Sequence, residues 1–258
     1  MVFQQVVALL GMDERDDTVI AALKALAGHG AIGRVFVVHV VEGSADLDVE
    51  TGAGELAREL EGVEVIGVLA FGRAVQEVCE LVEREDADLL LLGRTRAKDP
   101  RAPTRAMWGD HGLALLRQVD CPVLVVPDGA PLAFGEAVVG MDLSDSAMSA
   151  MRLTAALCTR VRPIAIAEPG ATGIQEGWRE RGGTGLLEVV AASSPADALL
   201  AGSATADLVA IGSRGLTPMA AVLLGSTAER LGGRCEKPLL VYRQKGERKG
   251  LLGALFGS

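Results

Sequence analysis

Aromatic residues are scarce in this chain: five Phe, two Trp and one Tyr make up 3% of its 258 residues. Stacking platforms for single-stranded nucleic acid are therefore lacking, and the core has to be built from Val, Leu, Ile and Ala. Basic residues are also in deficit, 25 against 34 acidic, and the net charge of −9 argues for no nucleic acid as a main partner. The four cysteines, Cys79, Cys121, Cys158 and Cys235, show no CxxC spacing, which excludes a sequence-evident zinc site or disulfide framework. His29, His39 and His111 belong to no ligand or triad pattern. Met1 to Leu10 has no basic leader, and no apolar run approaches the length of a transmembrane segment, so the simplest reading is a reduced, cytoplasmic protein. Neither a pair of opposed carboxylates nor an activated nucleophile stands out, so no catalytic residue is assigned.

The length suits two domains of ordinary size. Charge is unevenly divided between them. Residues 1–130 hold 12 basic and 22 acidic residues, whereas residues 131–258 hold 13 and 12, so the second half is the less hostile to a polyanion. The chain also repeats itself. Val7 to Asp13 and Val138 to Asp142 are both apolar strands ending in Met-Asp, each followed by a helical pattern. Short apolar strands follow at Arg34 to Glu42 and Val161 to Glu168, then at Val63 to Leu69 and Leu186 to Ala191. Asp88-Leu89-Leu90-Leu91-Leu92-Gly93 matches Asp207-Leu208-Val209-Ala210-Ile211-Gly212, and each copy closes on a strand after proline, Val123 to Val126 and Leu239 to Tyr242. Five apolar strands alternating with helices describe an α/β unit with a parallel sheet covered on both faces. Pro127 to Pro131 is the natural linker, which places the domains at 1–127 and 134–243. Residues 244–258 begin basic, turn apolar and contain helix-weakening glycines, as expected of a flexible tail.

One glycine motif carries most of the chemistry. Gly212-Ser213-Arg214-Gly215 follows a strand, and nine residues later comes Gly225-Ser226-Thr227 at the start of a helix. Glycines let backbone N–H groups approach an anion without a Cβ between them, and a helix start adds unpaired amides and the positive end of a dipole. No Lys follows Gly225, so this is not a Walker loop. Ser226-Thr227-Ala228-Glu229 is also a capping box, which accounts for the serine without any ligand but not for the glycines. Either Asp142 or Ser144 suits the cap of the helix after the first strand of the second copy.

Taken together, Met141-Asp142-Leu143-Ser144-Asp145-Ser146-Ala147, Gly212-x-x-Gly215-x9-Gly225-Ser226 and the ending Cys121-Pro122-Val123-Leu124-Val125-Val126 resemble the universal stress protein family in its tandem two-domain form. The resemblance implies two Rossmann-like (adenine nucleotide alpha hydrolase-like) domains, each a five-stranded parallel sheet of order 3-2-1-4-5 with helices on both faces. It implies a crevice between the first and fourth strands, and ATP or AMP as ligand. Asp142, with Met141 beside it, would lie by the nucleoside, and Ile166 would offer its main chain and an apolar face to adenine. Gly212 and Gly215 would admit the ribose-phosphate backbone with Arg214 in the same loop, and Gly225, Ser226 and Thr227 would receive the phosphates. The resemblance further implies that Val123–Val126 and Leu239–Tyr242 pair within the chain. A homodimer of such chains, or a regulatory protein partner, is left open. So are two rival functions: a slow ATP hydrolase using Mg²⁺ near Ser226, and a nucleotide-free interaction scaffold.

The first copy departs from the motif. It has Arg96 for the second glycine, twelve residues instead of nine before Gly109, and Asp110 in place of Ser226. Asp110 is expected to cap its helix and repel phosphate, leaving this copy without ATP in the usual pose. Its loop holds Arg94, Arg96, Lys98, Arg101 and Arg105, which suits either a solvated insertion or a dock for another anion.

Overall fold

The computed structural model describes residues 1–10, 15–41, 49–94, 104–166, 173–213 and 226–243, with side chains other than those of 15, 49–52, 104–110 and 226. The first half runs β1 (Phe3–Leu10), α1 (Arg15–Gly28), β2 (Ile32–Val41), α2 (Val49–Glu59), β3 (Glu64–Phe71), α3 (Ala74–Arg84), β4 (Leu89–Arg94), α4 (Thr104–Gln118) and β5 (Val123–Pro127). The second runs β6 (Glu136–Gly140), α5 (Asp145–Leu157), β7 (Arg160–Ile166), α6 (Ile174–Glu180), β8 (Glu188–Val190), α7 (Pro195–Gly202), β9 (Leu208–Gly212), α8 (Ser226–Arg234) and β10 (Leu239–Tyr242). Residues 244–258 lie outside the described residues.

The strands form one sheet in the order β3-β2-β1-β4-β5-β10-β9-β6-β7-β8. Each half is parallel within itself in the order 3-2-1-4-5. The seam between them is antiparallel, pairing Leu239 with Val125, Leu240 with Leu124 and Val241 with Val123. The last strands of the two copies thus meet inside one chain, and ten strands share a single hydrogen-bonded ladder.

Strand alternation divides the apolar residues between two faces. On one face Val7, Leu90, Val123, Val125, Leu239, Val209 and Val138 pack under α3, α4, α7 and α8. On the other, Val6, Leu91, Leu124, Leu240, Ala210 and Val139 pack under α1, α2 and α5. Both of these cores continue across the seam. Helix α3 shows the periodicity expected from sequence, with Val78 and Val82 buried and Val75 and Cys79 packed against the same core. Ser194 caps α7 with Pro195 in the first turn, as the Ser-Pro pair suggests.

Arginines lock the seam from both sides. Arg94 Nη2 donates to the carbonyl of Cys235, just past α8, while Arg243 Nη1 donates to the carbonyls of Arg117 (2.9 Å) and Val119 (3.1 Å) at the end of α4. Arg117 and Glu229 then join α4 to α8 by an ion pair. A cation placed at a helix carboxyl end satisfies orphan carbonyls and opposes the dipole. Each half therefore caps a helix of the other.

Cys121, Cys158 and Cys235 are buried. Burial, with the Asp207 charge adding to it, pushes the Cys158 thiol up to about 11, and burial also raises Cys235. The Cys158 and Cys235 thiols stay protonated at neutral pH. Ellman's reagent at pH 8 is expected to meet them slowly until the chain unfolds, with the partly exposed Cys79 reacting first.

Because the cores are continuous, Leu240→Ala in β10 is expected to cost about 2–5 kcal/mol and to leave urea unfolding as a single transition for both halves. Two separated transitions by circular dichroism would show that the halves unfold independently.

Candidate functional site

Strands β6 and β9 lie side by side, yet β6 leads on to β7 and β9 to β10, on opposite sides. Their connections diverge at the carboxyl ends, where a cleft of about 500 Å³ opens. Its floor is Gly140, Ile164, Ile166 and Ile211 from the strand ends. Its walls are Met141, Asp142, Leu143 and Ala147 at the start of α5, Pro195, Ala198 and Leu199 of α7, Ile174 of α6, and Ser213, Thr227 and Ala228 on the α8 side. The lining is apolar below and polar at the rim.

Three helix starts converge here. Ala147 is in the first turn of α5, Pro195 opens α7, and Thr227 and Ala228 follow the first residue of α8. The leading amides of a helix have no partner within it, and the helix dipole adds positive potential at its start. In α5 one amide is satisfied locally: Ala147 N–H donates to Ser144 Oγ at 3.2 Å. In α7, Asp197 N–H likewise donates to Ser194 Oγ at 3.2 Å. Hydrogen bonds from Ser194, Arg234 and Ser193 hold the Asp197 carboxyl far below its ordinary range. That carboxylate ties the start of α7 to the end of α8, the Arg234 bond measuring 2.7 Å. Since its folded pKa is depressed, the tie is complete above pH 3.8 and is lost only as pH falls well below that value.

The residues singled out in the sequence divide into three groups. Met141, Asp142, Ile166, Gly212 and Thr227 come together in the cleft. Ser226 is the first residue of α8. Arg214, Gly215 and Gly225 lie outside the described residues.

The structure also says what holds several of them there. Met141 is 5% exposed, donates its N–H to Ile164 O at 2.8 Å, and packs with Met148, Trp178 and Leu187 in a small cluster behind the cleft. Asp142 does not cap α5. Ser144 does, and Asp142 instead accepts from Ser144 N–H at 2.9 Å, a turn that leaves its carboxylate exposed at the rim. The next residue, Leu143, has φ +61°, a left-handed conformation costing a branched side chain on the order of 1–2 kcal/mol. Strain of this kind gathers where the backbone is held for a purpose.

Gly212 is a glycine for a packing reason. A Cβ there would lie 2.6 Å from the Ser146 carbonyl oxygen and nearer still to the Ser146 carbonyl carbon and the Ala147 nitrogen. The close approach it permits is that of α5 to the end of β9. The adjacent Ser213 N–H is already engaged, donating to Tyr242 O at 2.9 Å.

In the first half one expectation is corrected. Helix α4 begins at Thr104, so Asp110 is an interior residue and not a cap.

Sequence reasoning missed the α7 wall, Pro195, Ala198 and Leu199, because apolar residues in an amphipathic helix look like core. The only available signal was the Ser-Pro cap, which marks a helix start at the strand-end face.

A universal stress protein family model matches residues 6–127 and 183–243. The chain belongs to that family, in its tandem form. A Mycobacterium tuberculosis universal stress protein is 27% identical, the match covering 76% of each chain. Among solved structures, a functionally unknown Pseudomonas aeruginosa protein superposes with a TM-score of 0.73 at 19% identity, over 99% of this chain and 98% of that one. A universal stress protein from Archaeoglobus fulgidus gives 0.70 at 19%, over 96% and 98%. At such identities the likeness is one of fold.

Gly212→Ala forces α5 away from β9. It is expected to destabilise the protein by about 1–3 kcal/mol, measured by urea denaturation. A stability equal to that of the parent would remove the packing explanation.

Proposed function

We propose that the second half binds an adenine nucleotide, ATP or AMP, in the β6–β9 cleft, and that the protein works as a regulatory binding module. The observation that carries this reading is the meeting of three helix starts over an apolar floor. An anionic group is favoured by the amides, and a flat, weakly polar ring by Ile164, Ile166 and Ile211. A volume of about 500 Å³ lies in the range of small-molecule sites.

Asp142 at the rim is placed to accept hydrogen bonds from a ribose or base edge, with its orientation set by Ser144. Ile166, at the end of β7, supplies its main chain and an apolar surface. Thr227 and the first turn of α8 face the phosphates, with Ser226, Gly225, Arg214 and Gly215 completing the motif by sequence. The residues present fit such a ligand, because the apolar Ile164, Ile166 and Ile211 and the helix-start residues Ala147, Thr227 and Ala228 line one cavity. Among the described residues no cluster of three or more His, Cys, Asp or Glu could hold a metal, so any Mg²⁺ would arrive with ATP. Among those residues, too, no helix is long and apolar enough to cross a membrane.

A binding module signals only if its ligand favours one of two states. Here the element in position to respond is α8, which touches the cleft at one end and the first half at the other.

Mass spectrometry of small molecules released from freshly purified, denatured protein is expected to find adenine nucleotide. Calorimetric titration is expected to show ATP or AMP binding, with GTP weaker and with Asp142→Ala reducing affinity about tenfold, the loss of a hydrogen bond to a charged group. No heat with any adenine nucleotide would refute the reading and leave the scaffold alternative.

A further inference from the structure

We propose that Arg94, a residue of the first half, is a positioning residue for the nucleotide cleft of the second, acting through α8. The inference rests on the adenine-nucleotide reading above.

Arg94 ends β4 and follows Gly93, so it occupies the repeat position of Ser213, which lines the cleft in the second half. Its side chain has another destination. It is 4% exposed, the one buried cation among the described residues, and reaches across the seam to the Cys235 carbonyl. Burying a guanidinium is costly unless it is well bonded, so the position is held for a structural reason. Its own main chain is anchored as well: Asp128 N–H donates to the Arg94 carbonyl at 2.6 Å, and Arg94 stands opposite Pro127 in the sheet.

The carbonyl it meets is one turn beyond Leu231, which accepts from Cys235 N–H at 2.7 Å. Helix α8 has nine residues, about 14 Å of nearly rigid rod. Fixing its carboxyl end therefore fixes where Thr227 and Ala228 stand at the other. The Arg117–Glu229 ion pair steadies the same helix from α4, but both its side chains are about one-third exposed, and pairs of that kind are weak. Arg94 is the buried tether. The repeat position that lines the cleft in the second half serves in the first as a support for its sibling's phosphate-facing helix.

Such a role affects phosphate recognition and spares the nucleoside, whose contacts lie on β6, β7 and α7. Calorimetry with AMP and with adenosine separates the two. In Arg94→Gln protein, affinity for AMP is expected to fall about fivefold or more, with adenosine unchanged and with Arg94→Lys recovering part of the loss. A merely destabilising change would lower the unfolding midpoint without moving the AMP-to-adenosine ratio. An unchanged ratio in folded Arg94→Gln protein overturns the proposal alone. Failure of wild-type protein to bind either ligand overturns it together with the nucleotide reading.

Should Arg94→Gln not fold, hydrogen exchange on the wild-type protein decides. Coupling is reciprocal, so AMP but not adenosine is expected to slow exchange at the last turn of α8 and at Asp128. Equal exchange with the two ligands, both bound, overturns the proposal.

Discussion

Three residue pairs at the β5–β10 seam determine what kind of molecule this is. Without them there would be two five-stranded sheets, each with an open edge of unpaired N–H and C=O groups. With them, one ladder runs through ten strands and each face carries a core that crosses the join. Helices α4 and α8 are brought together over the seam, and arginines from each half reach the carboxyl end of the other's helix. The cleft is downstream of all this, because one of its walls is the start of α8.

The two halves share a plan but differ in detail at corresponding places. In the second, Gly212 lets α5 close against β9, and Thr227 and Ala228 of α8 line the cleft. In the first, α4 already includes Thr104, which places Asp110 inside the helix and not at its cap.

Much of the architecture was legible because it rests on periodicity. Apolar runs such as Leu89 to Leu92 and Val123 to Val126, short and bounded by turn residues, read as strands buried on both faces, and their repetition defined the order of elements. The glycine motif correctly drew attention to the strand–helix junction after β9. Gly212 lines the cleft, but a Cβ there would also meet backbone 66 residues away in sequence, at Ser146. Long-range packing of this sort leaves no local mark. The same holds for Pro195, Ala198 and Leu199, whose apolar character is ambiguous between core and cleft, and for Arg94, which sits in a basic run that resembled hydrated surface. Of that run only Arg94 has a described side chain, and it is buried.

Joining the repeats in one polypeptide changes the physics of their pairing. Two separate chains associate to a degree set by their concentration, and a partner that loses its ligand site is diluted among those that keep it. Covalent linkage makes the encounter intramolecular, at an effective concentration that expression level cannot alter. One member of the pair is then permanently supplied with the other, and can give up ligand chemistry for mechanical support at no cost to assembly.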